Sequence, residues 1–531
     1  MMERTARDES MKLLDRATGL DRLEKTAEWD LLVIGGGATG LGIALDAAAR
    51  GYRTLLLEGH DFAKGTSSRS TKLVHGGVRY LAQGNIHLVR HALHERGRLL
   101  GNAPQVTHRQ GFIVPCYRWW ELGFYGVGLL AYDLLAGRLG LGRSRLLSKA
   151  AVKQRLPTIN DQGLCGGILY YDGQFDDSRL ALAIAQSAAA QGATLLNYLR
   201  VTGLVKRDGK VKGAHATDME SGRTYEIQAR AVINATGIFT DDIRHMDRPD
   251  QPDGLSLSQG VHLVLDRSFL AGDDAILIPK TRDGRVLFIL PWLGRTLVGT
   301  TDTAIDVASL EPKAQEQEID FLLAHAAHYL RRAPVRADIL SIFTGIRPLV
   351  RSSDEQATAA LARDHTLLIA ESGLVTITGG KWTTYREMAE QTVDAAAAIA
   401  GLASVPCPTQ PLHLHGWVDK ADPADPLGAY GADADAVRAV LAEQPGWAQP
   451  MHPNLPYALG EAAYAARHLM ARTVEDVLSR RTRALLLDAR AAAEAAPAVA
   501  TILAAELGRD TEWIADQVAD FRQLAANSLP S

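Results

Sequence analysis

Cysteine is scarce in this sequence, and its one notable apolar run is short. Only three cysteines, Cys116, Cys165 and Cys407, occur among 531 residues, and no two of them form a Cys-x-x-Cys pair. This spacing argues against a disulfide framework or a zinc cluster and favours a reducing compartment. The formal net charge is −4, so the composition does not favour nucleic acid binding. A chain of this length is expected to fold as two or three domains.

The strongest motif lies in residues 30–58, DLLVIGGGATGLGIALDAAARGYRTLLLE. An apolar strand ends in spaced glycines, a small-residue helix follows, and a second apolar strand ends in an acid. The first glycine permits a sharp turn, the second leaves room for a pyrophosphate, and the third lets the helix approach the sheet. The helix N-terminus offers N–H groups to phosphates. The residues predicted to bind a dinucleotide here are Gly35, Gly37, Thr39, Gly40 and Glu58.

Glu58 narrows the choice of dinucleotide. It follows the glycines by about 20 residues, where a carboxylate can accept hydrogen bonds from both ribose hydroxyls. A carboxylate at this place disfavours the 2′-phosphate of NADP. The segment alone leaves NAD and FAD both open.

The loop that follows, from Gly59 to Leu81, concentrates hydroxyls, glycines and cations. Such a loop beside a dinucleotide turn is typical of a chain that wraps a polar cofactor, and a serine-rich surface loop is the alternative. Its run GTSSRSTKLVHGGVRYL resembles the flavin-contacting segment of the FAD-dependent glycerol-3-phosphate dehydrogenases. The resemblance extends from about residue 28 to the C-terminal end, and it implies FAD as the cofactor.

The resemblance also assigns roles within this loop. It implies contacts to FAD from Thr66, Ser67, Ser70, Leu73 and His75. It further implies that Arg79 and Tyr80 face the phosphate of the substrate.

Two later segments return to the cofactor. The strand ARAVINATG ends in small residues, which allow a dinucleotide to approach the sheet. A strand over residues 374–378 then meets a Gly-Gly-Lys turn and a helix that begins near Thr383. In the flavoprotein fold such a helix directs its positive end at the flavin edge that becomes negative on reduction, an element that NAD enzymes do not need. The predicted cofactor contacts in these segments are Gly237, Gly379, Gly380, Lys381, Trp382 and Thr383.

Candidate catalytic residues also follow from the resemblance. His262 lies in the alternating pattern GVHLVLD, where a packed histidine is the commoner interpretation, but SQGVHLVL matches the family's active-site segment. His262 is the first candidate for the general base and His75 the second. Arg347 lies in a Gly-x-Arg-Pro sequence that predicts a turn, and it resembles the family's substrate-anchoring arginine. The predicted catalytic residues are His262, His75, Arg347 and Lys381, and the predicted substrate ligands are Arg79, Tyr80, Arg347, Lys381 and Thr383.

Residues 119–147 combine aromatic, apolar and basic side chains. The apolar part, residues 122–132, is about half as long as the ~20 residues that cross a bilayer. Tryptophans precede it and arginines follow it, which suits a segment lying in a membrane interface. On the residues alone, an ordinary buried helix pair is equally favoured. The resemblance implies a cytoplasmic protein, peripherally bound to the inner face of the cell membrane, that delivers electrons to a quinone.

The predicted fold is α/β: an FAD-binding dinucleotide fold of the glutathione-reductase or amine-oxidase type, with an inserted mixed β-sheet substrate domain and a C-terminal all-helical domain. We expect an N-terminal extension over residues 1–27, interleaved FAD and substrate domains over 28–404, and the helical domain over 405–531. The FAD parts are residues 28–100, 150–250 and 340–404, and the substrate parts are residues 101–149 and 251–339. Residues 164–180 are predicted to form a strand pair with a turn that leads into a helix through Ala189. Oligomerisation, as a homodimer, or partner docking is the hypothesis for the helical domain.

The predicted function is oxidation of sn-glycerol 3-phosphate to dihydroxyacetone phosphate, with hydride transfer to flavin N5. An oxidase that uses O2 is the first alternative, disfavoured because the insertion typical of such oxidases is not evident between residues 28 and 400. An FAD-dependent amine or amino-acid oxidase is the second, although its site would need only one arginine. A non-enzymatic flavin- or nucleotide-binding module is the third.

Overall fold

Two mixed β-sheets organise the chain. The computed structural model describes residues 13–77, 85–281, 284–351, 365–422 and 424–530. In these ranges the strands are β1 (Trp29–Ile34), β2 (Thr54–Leu57), β3 (Leu73–Val74), β4 (Thr107–Cys116), β5 (Arg145–Ser148), β6 (Gly166–Phe175), β7 (Thr194–Leu196), β8 (Leu199–Arg207), β9 (Lys210–Asp218), β10 (Thr224–Asn234), β11 (Leu255–Asp266), β12 (Ala275–Ile278), β13 (Leu287–Trp292), β14 (Arg295–Gly299), β15 (Thr303–Ile305), β16 (Ile339–Val350), β17 (His365–Ile369) and β18 (Val375–Gly379).

Helices connect the strands and make up most of the C-terminal region. In the same ranges they are α1 (Arg16–Lys25), α2 (Ala38–Ala49), α3 (Ile86–Asn102), α4 (Trp119–Ala136), α5 (Lys149–Arg155), α6 (Asp177–Ala190), α7 (Thr240–Asp247), α8 (Glu316–Tyr329), α9 (Tyr385–Ala400), α10 (Ala434–Leu441), α11 (Glu461–His468), α12 (Ala484–Leu487), α13 (Ala489–Leu507) and α14 (Thr511–Asn527).

The first sheet carries the dinucleotide motif. Among the described strands its order is β17-β18-β10-β1-β2-β7, and the β8–β9 hairpin extends it from β10. Because β1 pairs in parallel with β2 and β10, Ile34, Leu57 and Asn234 lie together at the carboxyl ends of three strands. Strands β1 and β2 are buried along their whole length, which explains their continuously apolar sequences. The predicted β–α–β unit is confirmed, and the antiparallel strands β8 and β9 lead into β10.

The second sheet combines the strands of the predicted substrate ranges with β3, β6 and β16, which lie in the ranges predicted for the FAD parts. In the part of the chain that the structure describes, its order is β15-β11-β14-β13-β12-β4-β6-β3, with β16 paired to β11 and β5 paired to β6. Residues 255–305 form β11 to β15, so the mixed β-sheet predicted beside the FAD-binding fold is confirmed.

The strand pair predicted over residues 164–180 is wrong. Strand β6 runs unbroken from Gly166 to Phe175 and pairs with β4 in antiparallel register, and helix α6 begins at Asp177. The dipeptide Asp172-Gly173 resembles a turn, but the glycine has a packing role instead. A Cβ on Gly173 would lie 2.6 Å from Val74 Cγ2, so the missing side chain allows β3 to lie close against β6.

The C-terminal helices share a hydrophobic core with the second sheet. Phe112, Val264 and Leu297 of the sheet belong to the same buried cluster as Val477 and Leu503 of the C-terminal region. The helical character predicted for this region is confirmed. The predicted domain boundaries stay a prediction.

Candidate active site

A cavity of about 490 Å³ opens at the carboxyl ends of β1, β2 and β10. The turn after β1, the loop after β2 and the turn after β10 supply its walls. The lining includes Gly35, Gly37, Thr39, Glu58, Thr66, Ser67 and Gly237. The structure therefore brings together predicted cofactor contacts from three separate parts of the chain.

The glycines of the first turn give this cavity its shape. Gly35 has a φ of +108°, which allows the chain to leave β1 sharply. A Cβ on Gly40 would lie 1.9 Å from the carbonyl oxygen of Gly35, so α2 can approach the strand only without a side chain there. A Cβ on Gly37 would lie 3.1 Å from Ser67 Oγ and would narrow the space at the N-terminus of α2. This arrangement fits a pyrophosphate that approaches the helix N-terminus closely.

Two backbone N–H groups hold the Glu58 carboxylate at the cavity wall. Oε2 accepts a hydrogen bond from the Gly36 N–H at 2.6 Å, and Oε1 accepts one from the His60 N–H at 2.8 Å. Burial raises the pKa of Glu58. Because a carboxylate offers about four lone-pair sites, the fixed side chain can still accept hydrogen bonds from two ribose hydroxyls.

The serine-rich loop points its hydroxyls in two directions. Ser67 Oγ accepts a hydrogen bond from the Ala38 N–H at 2.9 Å, which places it at the N-terminus of α2. Ser70 differs, because both its N–H and its hydroxyl donate to Asp177 Oδ2, at 3.0 and 2.7 Å. Ser67 faces the cavity, whereas the Ser70 hydroxyl is engaged by the protein.

The late glycine turn is tied to the same loop. Trp382 Nε1 donates to the Ser67 carbonyl at 2.9 Å. The Thr383 hydroxyl accepts from the His75 N–H at 3.2 Å. The serine-rich loop and the late glycine turn, more than 300 positions apart in sequence, are therefore in contact. Both were predicted to bind the cofactor.

Gly379 and Gly380 adopt the left-handed backbone at the end of β18, with φ of +76° and +75°. A Cβ on Gly380 would lie 2.4 Å from Met388 Sδ, so this turn lies close against α9. Lys381 follows and precedes the short 3₁₀ turn Trp382–Thr384. Lys381 is not among the described residues that line either cavity of the site.

A second cavity, of about 930 Å³, opens beside the distal part of the loop. The loop supplies Thr71, Leu73 and His75 to its wall, and α4 supplies Phe124, Val127 and Ala131. The remaining lining residues include Phe288, Thr300, Asp302 and Arg347. The loop of residues 59–77 thus runs along both cavities, and the larger one combines an apolar wall with a guanidinium.

Arg347 lies in strand β16, so the turn predicted around it is wrong. It pairs with Ser258 of β11, and Pro348 pairs with Leu257 in the same register. Among the described strands β16 pairs with β11 alone. Proline is tolerated there because an edge strand can lack an N–H donor on its unpaired side.

The Arg347 guanidinium is held at the cavity wall by acceptors that follow β14. Nη2 donates to Thr300 Oγ1 and to the Thr301 carbonyl, both at 3.2 Å. Nη1 lies 3.4 Å from Asp302 Oδ1. These contacts fix the plane of the guanidinium in a partly exposed position, where its positive charge faces the cavity and can attract an anion.

Two glycines make room for Arg347 and His262 on one face of the second sheet. A Cβ on Gly260 would lie 2.3 Å from Arg347 Nη2, and a Cβ on Gly299 would lie 2.2 Å from His262 Cδ2. Gly260 and His262 are two positions apart in β11, so they point to the same face. The guanidinium and the imidazole are therefore neighbours.

His262 reaches the larger cavity through Thr71. Its Nε2 lies 2.9 Å from Thr71 Oγ1, and its ring stacks on Phe343 with 4.7 Å between centroids. Within the described ranges Nδ1 has no hydrogen-bond partner. Burial, and then the positive charges of Lys72 and Arg347, hold the pKa of His262 well below its usual range. The imidazole is therefore neutral near pH 7 and able to accept a proton.

The sequence did not single out three residues of this site. Thr300 and Asp302 belong to a polar run directly after strand β14. Their position in a loop at the end of a strand could have indicated a functional role. Thr71 was one of several hydroxyls in its loop, with nothing local to distinguish it. Arg79 and Tyr80, predicted to bind the substrate phosphate, lie outside the described residues.

Helix α4 forms one wall of the larger cavity and also carries an exposed apolar face. Trp119, Phe124, Val127 and Leu134 are 75, 65, 71 and 83% exposed. Its other side, which includes Leu129, is buried in the protein. No helix in the described ranges is both long and apolar enough to cross a bilayer.

The fold, with its glycine-lined cavity, defines an FAD-dependent oxidoreductase: the family model described as "FAD dependent oxidoreductase" matches residues 30–386. A second model, "C-terminal domain of alpha-glycerophosphate oxidase", matches residues 374–513. The mitochondrial glycerol-3-phosphate dehydrogenase of Homo sapiens is 41% identical, over 94% of this chain and 72% of its own length. This chain belongs to the family of FAD-dependent glycerol-3-phosphate dehydrogenases.

Two further relatives agree with this assignment. The mitochondrial glycerol-3-phosphate dehydrogenase of Arabidopsis thaliana is 41% identical over 90% of this chain and 82% of its own. The crystal structure of the glycerol-3-phosphate dehydrogenase from Bacillus halodurans, complexed with FAD, is 31% identical. It superposes with a TM-score of 0.79 over 98% of this chain and 99% of that one. The predicted family, fold and FAD cofactor are confirmed.

Proposed function

We propose that this protein oxidises the C2 alcohol of sn-glycerol 3-phosphate to the ketone of dihydroxyacetone phosphate and passes the electrons to a membrane quinone. Family membership supports the first step. The glycine-lined cavity and Glu58 would hold the adenosine and pyrophosphate part of FAD. FAD, when bound, supplies at its N5 atom the acceptor for the C2 hydride.

The position of Arg347 is the observation that carries the choice of substrate. Its guanidinium lies over Gly260 in the wall of the larger cavity, beside His262. Its acceptors on Thr300 and Thr301 fix its plane at the cavity wall, where its positive charge would hold the substrate phosphate. A phosphate held there leaves the glycerol carbons within the same cavity as Thr71.

His262 is our candidate for the base that removes the hydroxyl proton. Its Nε2 would take that proton directly or through the Thr71 hydroxyl, with which it shares a 2.9 Å hydrogen bond. A phosphate dianion on Arg347 would offset one of the charges that depress the His262 pKa, and so would strengthen the base when substrate is present. His75 lines the same cavity and stays the second candidate. The substrate roles of Lys381, Thr383, Arg79 and Tyr80 stay predictions.

Helix α4 supports the quinone and membrane part of the proposal. Phe124 and Val127 line the larger cavity and are also exposed at the surface. The exposed Arg138, Arg143 and Arg145 follow the helix. An apolar face bordered by cations suits contact with lipid, and it would give an apolar electron acceptor access from the bilayer to the cavity wall. We propose peripheral association with the inner face of the cell membrane.

Anaerobic reduction tests the substrate assignment. Glycerol 3-phosphate should bleach the flavin absorbance of the purified protein in the absence of oxygen, whereas glycerol and amino acids should not. Bleaching by an amino acid instead would contradict the assignment. In air, peroxide formation equal to substrate turnover would identify an oxidase rather than a dehydrogenase.

A further inference from the structure

Three arginines of the C-terminal region are buried, and they lie far in sequence from the residues of the site described above. Arg480, Arg481 and Arg483 are 2, 1 and 1% exposed. They belong to the run SRRTR, residues 479–483, within the region predicted to be all-helical. The segment Asp476–Arg481 is a π-helix, a rare element that often occurs at functional sites.

Two of these arginines bind one carboxylate of the FAD-binding half. Arg481 donates to both oxygens of Asp61, from Nη1 at 2.6 Å and from Nη2 at 2.7 Å. Arg480 Nε donates to Asp61 Oδ2 at 2.5 Å. Burial alone would raise the pKa of Asp61, but the two guanidiniums hold it well below the usual range. Asp61 is therefore a buried anion whose charge is compensated from the C-terminal region.

Asp61 lies in the loop that follows Glu58, and that loop forms a wall of the smaller cavity. His60 and Lys64, on either side of Asp61, both line this cavity. Lys64 Nζ in turn binds Glu475 Oε2 of the C-terminal region at 2.7 Å. One side of the loop thus faces the cavity while its other side is fixed by the C-terminal region.

Arg483 fixes the distal part of the same loop. Its Nη2 donates to the Ser68 carbonyl at 2.7 Å and to Asp177 Oδ1 at 3.0 Å. Asp177 also accepts from Ser70 and from Lys72 Nζ, the latter at 2.7 Å. Lys72 has a φ of +64°, which is unusual for a lysine and persists only where surrounding contacts impose it.

We propose that Arg480, Arg481 and Arg483 are positioning residues that hold residues 59–72 in the conformation that binds FAD. The C-terminal region is then a part of the cofactor site rather than a separate module. The inference rests on the placement of FAD in the smaller cavity. Because none of the three arginines lines that cavity among its described residues, they act on the cofactor through Asp61, Asp177 and Ser68.

The test compares two arginines of the C-terminal region in the full-length protein. Arg481→Met removes the fork on Asp61. Arg467→Met is the matched control, since Arg467 pairs with Glu443 and Glu506, both within the C-terminal region. For each variant the bound FAD is removed and returned, the Kd is measured from flavin fluorescence, and Tm is recorded with and without FAD.

Arg481→Met should raise the Kd for FAD at least about tenfold and should reduce the increase in Tm that FAD produces. Arg467→Met should lower both Tm values together and leave the Kd within about threefold of the wild type. An unchanged Kd in Arg481→Met, or an equal rise in both variants, overturns the proposal. Should Arg481→Met fail to fold, Arg481→Lys keeps the charge without the two-point fork, and a wild-type Kd in that variant also overturns it.

A separate variant tests the placement of FAD itself. Gly37→Val fills the space beside Ser67, and it should abolish FAD binding if the smaller cavity holds the cofactor. Normal FAD binding in Gly37→Val would refute the placement of FAD in the smaller cavity. The proposed role of the three arginines would then be refuted as well. Loss of FAD binding in Gly37→Val together with a normal Kd for FAD in Arg481→Met would refute only the proposed role of the three arginines.

Discussion

The hydroxyl of Thr71 and Nε2 of His262 lie 2.9 Å apart, although 191 residues separate them in sequence. Thr71 lines the larger cavity, whereas His262 is buried behind it. This pair gives a buried imidazole a route to a bound alcohol. It also accounts for the histidine's place within a strand, because a strand holds the ring rigidly against Phe343.

Replacement of the proposed base should slow the chemical step without loss of the cofactor. For His262→Asn we expect anaerobic flavin reduction by glycerol 3-phosphate to be slower by a factor of about 10²–10⁴. Thr71→Val should produce a smaller loss, because water can replace the hydroxyl. His75→Asn provides the comparison in stopped-flow measurements. A larger loss in His75→Asn than in His262→Asn would transfer the role of base to His75.

The depressed pKa of His262 should appear in the pH dependence of stability. Its folded pKa lies below the unfolded value, so the unfolded chain binds the proton first and stability is lost as the pH falls through about 6.5. This one group contributes a slope of about 1.4 kcal/mol per pH unit until the folded pKa is reached. Urea unfolding between about pH 7.5 and about pH 5 should therefore show a shallower loss for His262→Asn than for the wild type. Parallel curves would show that the folded pKa is not depressed.

Removal of the Arg347 guanidinium should weaken substrate binding and leave FAD in place. Charge-assisted hydrogen bonds of this kind contribute about 1.5–3 kcal/mol, so Arg347→Ala should raise KM by about 10- to 150-fold. The KM of Arg347→Lys should lie between those of the wild type and Arg347→Ala, because an ammonium keeps the charge but not the planar guanidinium. Steady-state kinetics measure KM for each variant, and the flavin absorbance spectrum checks that FAD is still bound. A wild-type KM in Arg347→Ala would exclude this residue from the phosphate site.

Local features of the fold were predictable because their causes are local. The unit from β1 to β2 follows from apolar runs, spaced glycines and a small-residue helix, each of which acts over a few residues. The error at Asp172-Gly173 has an equally local origin, since a glycine that permits close strand packing looks the same in sequence as a glycine in a turn. The expected turn at Arg347 failed for a related reason, because an edge strand tolerates a proline.

The contacts that complete the site were not predictable, because their partners are distant in sequence. Asp61 and Arg481 lie 420 positions apart, and no pattern near either residue indicates the other. Buried charges are rare unless paired, but the sequence does not show which charges are buried. The pairing of Asp177 with Lys72 and Arg483 is hidden in the same way.

The exposed face of α4 should determine binding to lipid. Replacement of Trp119, Trp120 and Phe124 by serine removes a large apolar area from that face, and co-sedimentation with anionic vesicles should be lost. Leu368 and Ile369 are also exposed, at 42 and 56%, but lie on strand β17 of the first sheet. Their replacement by serine is the matched control and should leave co-sedimentation unchanged. If the wild type does not bind vesicles, the membrane proposal is wrong.

The close approach of α2 to β1 should make Gly40 intolerant of even one methyl group. In Gly40→Ala the new Cβ would meet the Gly35 carbonyl oxygen at 1.9 Å, so the helix must move away from the strand. That movement displaces the N–H groups that face the pyrophosphate, and both FAD binding and Tm should fall. Gly101→Ala is the control, because Gly101 also lies in a helix but has no atom within 4 Å of the added Cβ. It should keep FAD, and its Tm should not fall, since alanine is the better helix former. Equal FAD affinity in the two variants would show that the contact between Gly40 and Gly35 does not set the geometry of the cofactor site.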